Sequence, residues 1–151
     1  MNRNTFLLAV LALVAVCLAT PLQLLGIPLA PIVALVLGAI AGWWISSVRG
    51  RGTAEGGVIS GAIVGLGALI GSVIGLAVVA LFIGSIPEVQ QLIQSSEPHP
   101  EARLPSNLIA PLALLSGVLG GFMLGIADMV LAALSGMIAG VIYGHRHPVK
   151  A

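Results

Sequence analysis

Charge is what this chain has least of. Only 7% of its 151 residues are Asp, Glu, Lys or Arg, against about 25% in a soluble domain. That scarcity excludes an ordinary soluble globule. It also excludes a nucleic-acid binder, which needs a basic surface to meet phosphates. Cysteine occurs once, at Cys17. A single thiol closes no internal disulfide, and within an apolar run it reads as a small buried residue. Long polar segments are scarce too. The longest, Ser85–Asn107, is too short to fold as a separate catalytic domain. Any chemistry therefore sits in the apolar part, at its rim, or on a partner.

What is there is hydrophobic: 58% of residues, with a mean hydropathy of +1.14. The apolar residues gather into four stretches, Thr5–Leu25, Pro28–Val48, Gly57–Gly84 and Leu108–Tyr143. Each is long enough to cross a bilayer, which takes about 20 apolar residues at 1.5 Å of rise per residue. The pattern predicts an all-α, polytopic transmembrane bundle of four spans, a single transmembrane domain over 1–151 with an outer loop over 85–107. The first stretch also resembles a secretion signal. Met1-Asn-Arg precedes Phe6–Ala19, and Cys17-Leu-Ala19 is a passable cleavage site. The apolar run continues through Leu22–Leu25, which favours a retained helix. A lipoprotein signal wants a small residue before the cysteine, where Val16 stands.

Basic residues fall on one side of these spans. Arg3 precedes the first, Arg49 and Arg51 lie between the second and third, and Arg146 and Lys150 follow the fourth. Only Arg103 lies opposite, in a loop with Glu88, Glu97 and Glu101. The positive-inside rule then puts both termini in the cytoplasm and the protein in the cytoplasmic membrane. Trp43, Trp44 and Tyr143 fall at the cytoplasmic ends of their spans, where interfacial aromatics belong.

The connections differ in character. Thr20–Pro31 is apolar and carries Pro21, Pro28 and Pro31, so it reads as a tight outer turn. Ser46–Gly56 is glycine-rich and basic, and reads as a flexible inner loop. Ser85-Ile-Pro-Glu88 fits a capping box with Ser85 as N-cap. Ile86, Val89 and Ile93 then share a face, which predicts a short surface helix over Ile86–Gln94. Ser95–Asn107, with Pro98, Pro100 and Pro105, should be extended, either as a plain linker or as an arm that docks a partner.

Glycine, by contrast, is abundant at 20 residues. The third span carries Gly57, Gly61 and Gly65, then Gly67, Gly71 and Gly75, each set at spacing four. The fourth carries Gly117, Gly121 and Gly125, then Gly136, Gly140 and Gly144, with Ala132 on the same line. The second adds Gly38 and Gly42. Lipid is as apolar as leucine, so helices associate in a bilayer through close packing, and small residues at i and i+4 permit it. These runs predict glycine-zipper packing with the third and fourth spans at the centre. Phosphate-cradling loops also use glycine, but they need a polar strand-to-helix junction that this sequence lacks.

Asp128 is the one carboxylate inside an apolar stretch. Such a group costs about 2.5–3.5 kcal/mol at a bilayer centre on insertion scales, and is a candidate site by default. It stands three residues after Gly125, so it should face the bundle. Three readings compete: a carboxylate satisfied by a hydroxyl, backbone group or interfacial water; a proton or cation site; and a contact with another subunit. His145 and His147 flank Arg146 beyond the last span and suit a lipid-contacting tail. His99 lies between two prolines and reads as solvated. No histidine lies within a span, and there is no nucleophile–base pair or zinc motif. No catalytic residue, cofactor or metal is expected.

Over Gly57–Asp128 the chain resembles the four-helix proteolipid subunits of rotary ATPases, with a glycine-rich third helix and a carboxylate in the fourth. It departs from them in the apolar turn Thr20–Pro31 and in the context Ile126-Ala-Asp-Met-Val130. In layout it resembles uncharacterised glycine-rich four-helix membrane proteins of bacteria, which implies no activity and no site. The resulting expectation is a non-catalytic structural, accessory or assembly subunit of a larger membrane complex, in contact with lipid and with a membrane-protein partner or itself. The alternative is a small transporter or channel-like homo-oligomer built around Asp128.

Overall fold

The structure, a computed structural model, describes residues 3–23, 26–49, 53–96 and 105–147. These form α1 (Arg3–Gln23), α2 (Leu29–Arg49), α3 (Ala54–Gly84), α4 (Pro87–Ser96) and α5 (Ser106–Arg146), with no strand among the described residues. All but α4 are long and apolar enough to cross a membrane. The protein is an all-helical integral membrane protein. The fourth apolar stretch is one uninterrupted helix of 41 residues. Arg51, Glu97, His99, Glu101, Arg103 and Lys150 lie outside the described residues.

Helix lengths divide the bundle into two pairs. α1 and α2 have 21 residues each, about 31 Å at 1.5 Å per residue, which matches a hydrocarbon core of about 30 Å. α3 has 31 residues and α5 has 41, about 46 and 62 Å. α3 and α5 make the most extensive contact and form the spine; α1 packs mainly on α3, and α2 mainly on α5.

Large side chains point outward and small ones inward. Leu18, Phe82 and Met123 are each at least 70% exposed, whereas Ala12, Ala30, Ala34, Ala68 and Ala132 are fully buried. In water that distribution would not hold a fold together. In lipid nothing is gained by hiding leucine, and close backbone approach supplies the dispersion contacts instead. Gly57, Gly61 and Gly65 of α3 face the α5 backbone at Gly136, Ala132 and Met129. Gly67, Gly71 and Gly75 face the other way, onto α1 at Ala9, Leu13 and Thr20. On α5, Gly117, Gly121 and Gly125 meet the C-terminal half of α3, and Gly136 and Gly140 meet its N-terminal end. Gly38 and Gly42 bring α2 onto α5 at Ala132 and Gly136.

The connections are tighter than their composition suggests. α1 runs through Pro21 to Gln23. The N–H of Gly26 then bonds to the Gln23 carbonyl at 2.9 Å, and that of Ile27 to the Leu22 carbonyl at 3.3 Å. This is a Schellman pattern, with Gly26 in the left-handed region at φ +81°. At the α2–α3 connection α2 reaches Arg49 and α3 starts at Ala54, so most of Ser46–Gly56 is helical rather than a flexible loop. Thr53 caps α3 by accepting from the Gly56 N–H.

The capping box at Ser85 is not formed. Ser85 closes α3: its N–H reaches the Leu81 and Phe82 carbonyls, and its hydroxyl donates to Phe82 O at 2.7 Å. α4 consequently starts at Pro87 and ends at Ser96. Gln90 ties it back by donating from Nε2 to the Gly84 carbonyl at 2.8 Å. At the other end of the bundle Trp43 of α2 meets Tyr143 of α5 edge-on at 5.2 Å, and His147 stacks on Tyr143 at 4.5 Å. α2 and α5 are thus clamped where their aromatic residues gather.

Candidate functional site

Hydroxyls in membrane helices usually satisfy themselves on a carbonyl one turn back. Thr20 donates to Val16 O, Ser46 to Gly42 O, Ser60 to Gly57 O and Ser135 to Ala132 O. Ser72 does otherwise. Its hydroxyl crosses from α3 to α5 and donates to Asp128 Oδ2 at 2.9 Å. Both residues are buried, Asp128 to 3% exposure. No basic side chain pairs with Asp128 among the described residues, and no group of three or more His, Cys, Asp or Glu gathers there to hold a metal ion.

Glycines fix this pair in place. Gly71 and Gly75, on either side of Ser72, bring α3 onto the α1 backbone at Leu13 and Cys17. A Cβ at Gly121 would stand 2.7 Å from the Ser72 carbonyl oxygen, and one at Gly125 would stand 2.8 Å from Leu69 Cα. Residues at these positions with side chains would hold α5 off α3 and stretch the bond. Asp128 faces the bundle interior, and its partner lies near the middle of α3, so the carboxyl is deep. About 27 Å of helix separates it from Arg146 at the C-terminal end of α5.

One turn outward lie Leu124 on α5 and Leu76 on α3. Both line an open cleft of about 320 Å³ whose other described walls are Gln23, Gly26 and Pro28 of the α1–α2 turn. Asp128 therefore stands closer to that turn than to the opposite end of the bundle. A second groove, of about 280 Å³, runs between the N-terminal part of α1 and the C-terminal part of α2 and is lined by Asn4, Leu7, Leu8, Ile40 and Trp44.

Of the residues singled out by sequence, the glycines of α3 from Gly57 to Gly75, and Gly117, Gly121, Gly125, Gly136 and Gly140 of α5, lie in helix–helix contacts, and Asp128 lies beside them. His145 and His147 are exposed at the end of α5 and apart from the carboxyl. Ser72 escapes sequence reasoning, because a serine at a single position carries no spacing signal. Comparison with protein-family models, with curated proteins and with solved structures gives no match.

Proposed function

We propose that this protein is a non-catalytic accessory or assembly subunit of a larger complex in the bacterial cytoplasmic membrane, with both termini cytoplasmic. One observation carries the reading. The α1–α2 turn lines one cleft with Leu76 and Leu124 of the spine, and beyond that level α3 and α5 continue without α1 or α2 beside them among the described residues. Their outward part exposes Val78, Leu81, Phe82, Leu108, Leu112 and Leu115. Since α1 and α2 already match the bilayer core, part of this apolar surface lies where lipid tails give no cover, and another membrane protein suits it. Glycine-zipper packing within the chain makes the pair a stiff post on which such a partner can be mounted. The aromatic clamp of Trp43 and Tyr143 and the basic residues near it support the cytoplasmic reading of that end, by the positive-inside rule and the interfacial preference of aromatics.

Photo-crosslinkers placed at Phe82 and Leu112 in cells test this. They should trap a discrete larger membrane protein. Adducts with lipid alone at both positions would refute the reading.

A second reading, a small transporter or channel-like homo-oligomer, is favoured by the bond between Ser72 and Asp128. It requires that Asp128→Asn abolish ion flux in liposomes. Flux equal to that of the unaltered protein would remove Asp128 from the role.

A further inference from the structure

Ser72 and Asp128 point to each other across the α3–α5 contact, and the cleft under the α1–α2 turn ends one helical turn away. Leu76 and Leu124 are the residues common to both features. Each stands four residues outward of its polar neighbour, about 6 Å along its helix, and each lines the cleft. Gln23 supplies a polar side chain at the same cleft. Asp128 is not among the described walls of the cleft, and intramembrane carboxylates that face a bundle interior mark ion and proton paths.

We propose that Asp128 and Ser72 form a proton-exchange site served from the α1–α2 face of the membrane, with the cleft as its access route and Leu76 and Leu124 as the apolar barrier between water and carboxyl. The ligand is a proton rather than a metal cation. Hard cations take six or more oxygen ligands, whereas the pair offers one carboxyl and one hydroxyl. In exchange, water admitted from the cleft past Leu76 and Leu124 carries the proton: a hydronium gives it to a carboxylate oxygen and leaves as water, and the reverse step returns it, with Ser72 holding the carboxyl in place.

Few other ionisable groups face the site. On α1 the nearest is Cys17, whose backbone lies against Gly71 and Gly75. Arg3, Arg49, Glu55, His145 and Arg146 stand in the terminal turns of α1, α2, α3 and α5. Tyr143 is engaged with Trp43 and His147.

Asp128 is the sole aspartate in the chain, which makes the test direct. Protein made with carboxyl-labelled aspartate reports this one carboxyl by infrared difference spectroscopy, without any substitution. Full-length protein is sealed in vesicles, sorted so that a C-terminal tag is luminal, and the external pH is stepped. The labelled carboxyl band should change with external pH and stay constant when only the lumen is stepped. S72A should shift the band, and L124W, which fills the cleft, should slow the response while leaving the band in place. A band unmoved by external pH, or one that follows luminal pH alone, would overturn the proposal. So would a band that answers to sodium at fixed pH.

The inference deepens the transport reading but separates from it. Exchange without flux would retire transport and keep the site, and co-purification with a partner bears on neither.

Discussion

At Gly136 a single methyl group has nowhere to go. Three helices converge there: a Cβ would stand 2.6 Å from the Gly57 carbonyl oxygen, 3.0 Å from Gly61 Cα and 3.1 Å from the Gly38 carbonyl oxygen. All three neighbours are backbone, so no rotamer change relieves the clash. Gly136→Ala should lower stability by about 1–3 kcal/mol, the usual range for overpacking. Gly120 lies on the same helix, yet a Cβ there meets only Leu76 Cδ1, at 3.8 Å. Gly120→Ala should be neutral or stabilise by up to about 1 kcal/mol through helix propensity. Reversible unfolding in mixed micelles measures both, and equal effects would refute this packing. At this scale Asp128 is legible in sequence because it breaks an apolar run. Ser72 is not. It sits among residues as small as itself, and nothing in its spacing separates it from Ser46 or Ser60, which bond within their own helices.

Between elements, α3 works as a two-sided strip. Gly65 and Gly67 differ by two residues, a rotation of about 200°, and the glycine sets on either side of that step face α5 and α1. That division can be read from the sequence by counting. The docking of α2 on α5 through Gly38 and Gly42 cannot, since two glycines do not say which neighbour they admit. The capping box misleads for a different reason. The same Ser85 can start one helix or finish another, and here the long α3 takes it. The α1–α2 turn depends on backbone chirality rather than on space. Gly26 has φ +81° and nothing within 4 Å of its Cβ position, so a side chain fits but the conformation resists it. Gly26→Ala should cost about 1–2 kcal/mol, the left-handed penalty. It should also raise hydrogen exchange at Ile27, whose N–H bonds to Leu22 O. Unchanged protection there would contradict the Schellman turn.

As a whole, the molecule is a short hairpin leaning on a long one. α1 and α2 match the bilayer; α3 and α5 exceed it, and α3 carries α4 at its C-terminal end through Gln90. Fold class and span number follow from sequence because hydropathy over 20 residues integrates many weak preferences. The partner does not, because a surface facing lipid and a surface facing an apolar partner are written in the same residues. The accessory reading is therefore best tested on the intact assembly. Tagged protein, extracted from its native membrane in a mild detergent, is weighed by native mass spectrometry. It should emerge in stoichiometric complex with a larger membrane protein; a lone monomer or a pure homo-oligomer would contradict that reading and shift attention to Asp128.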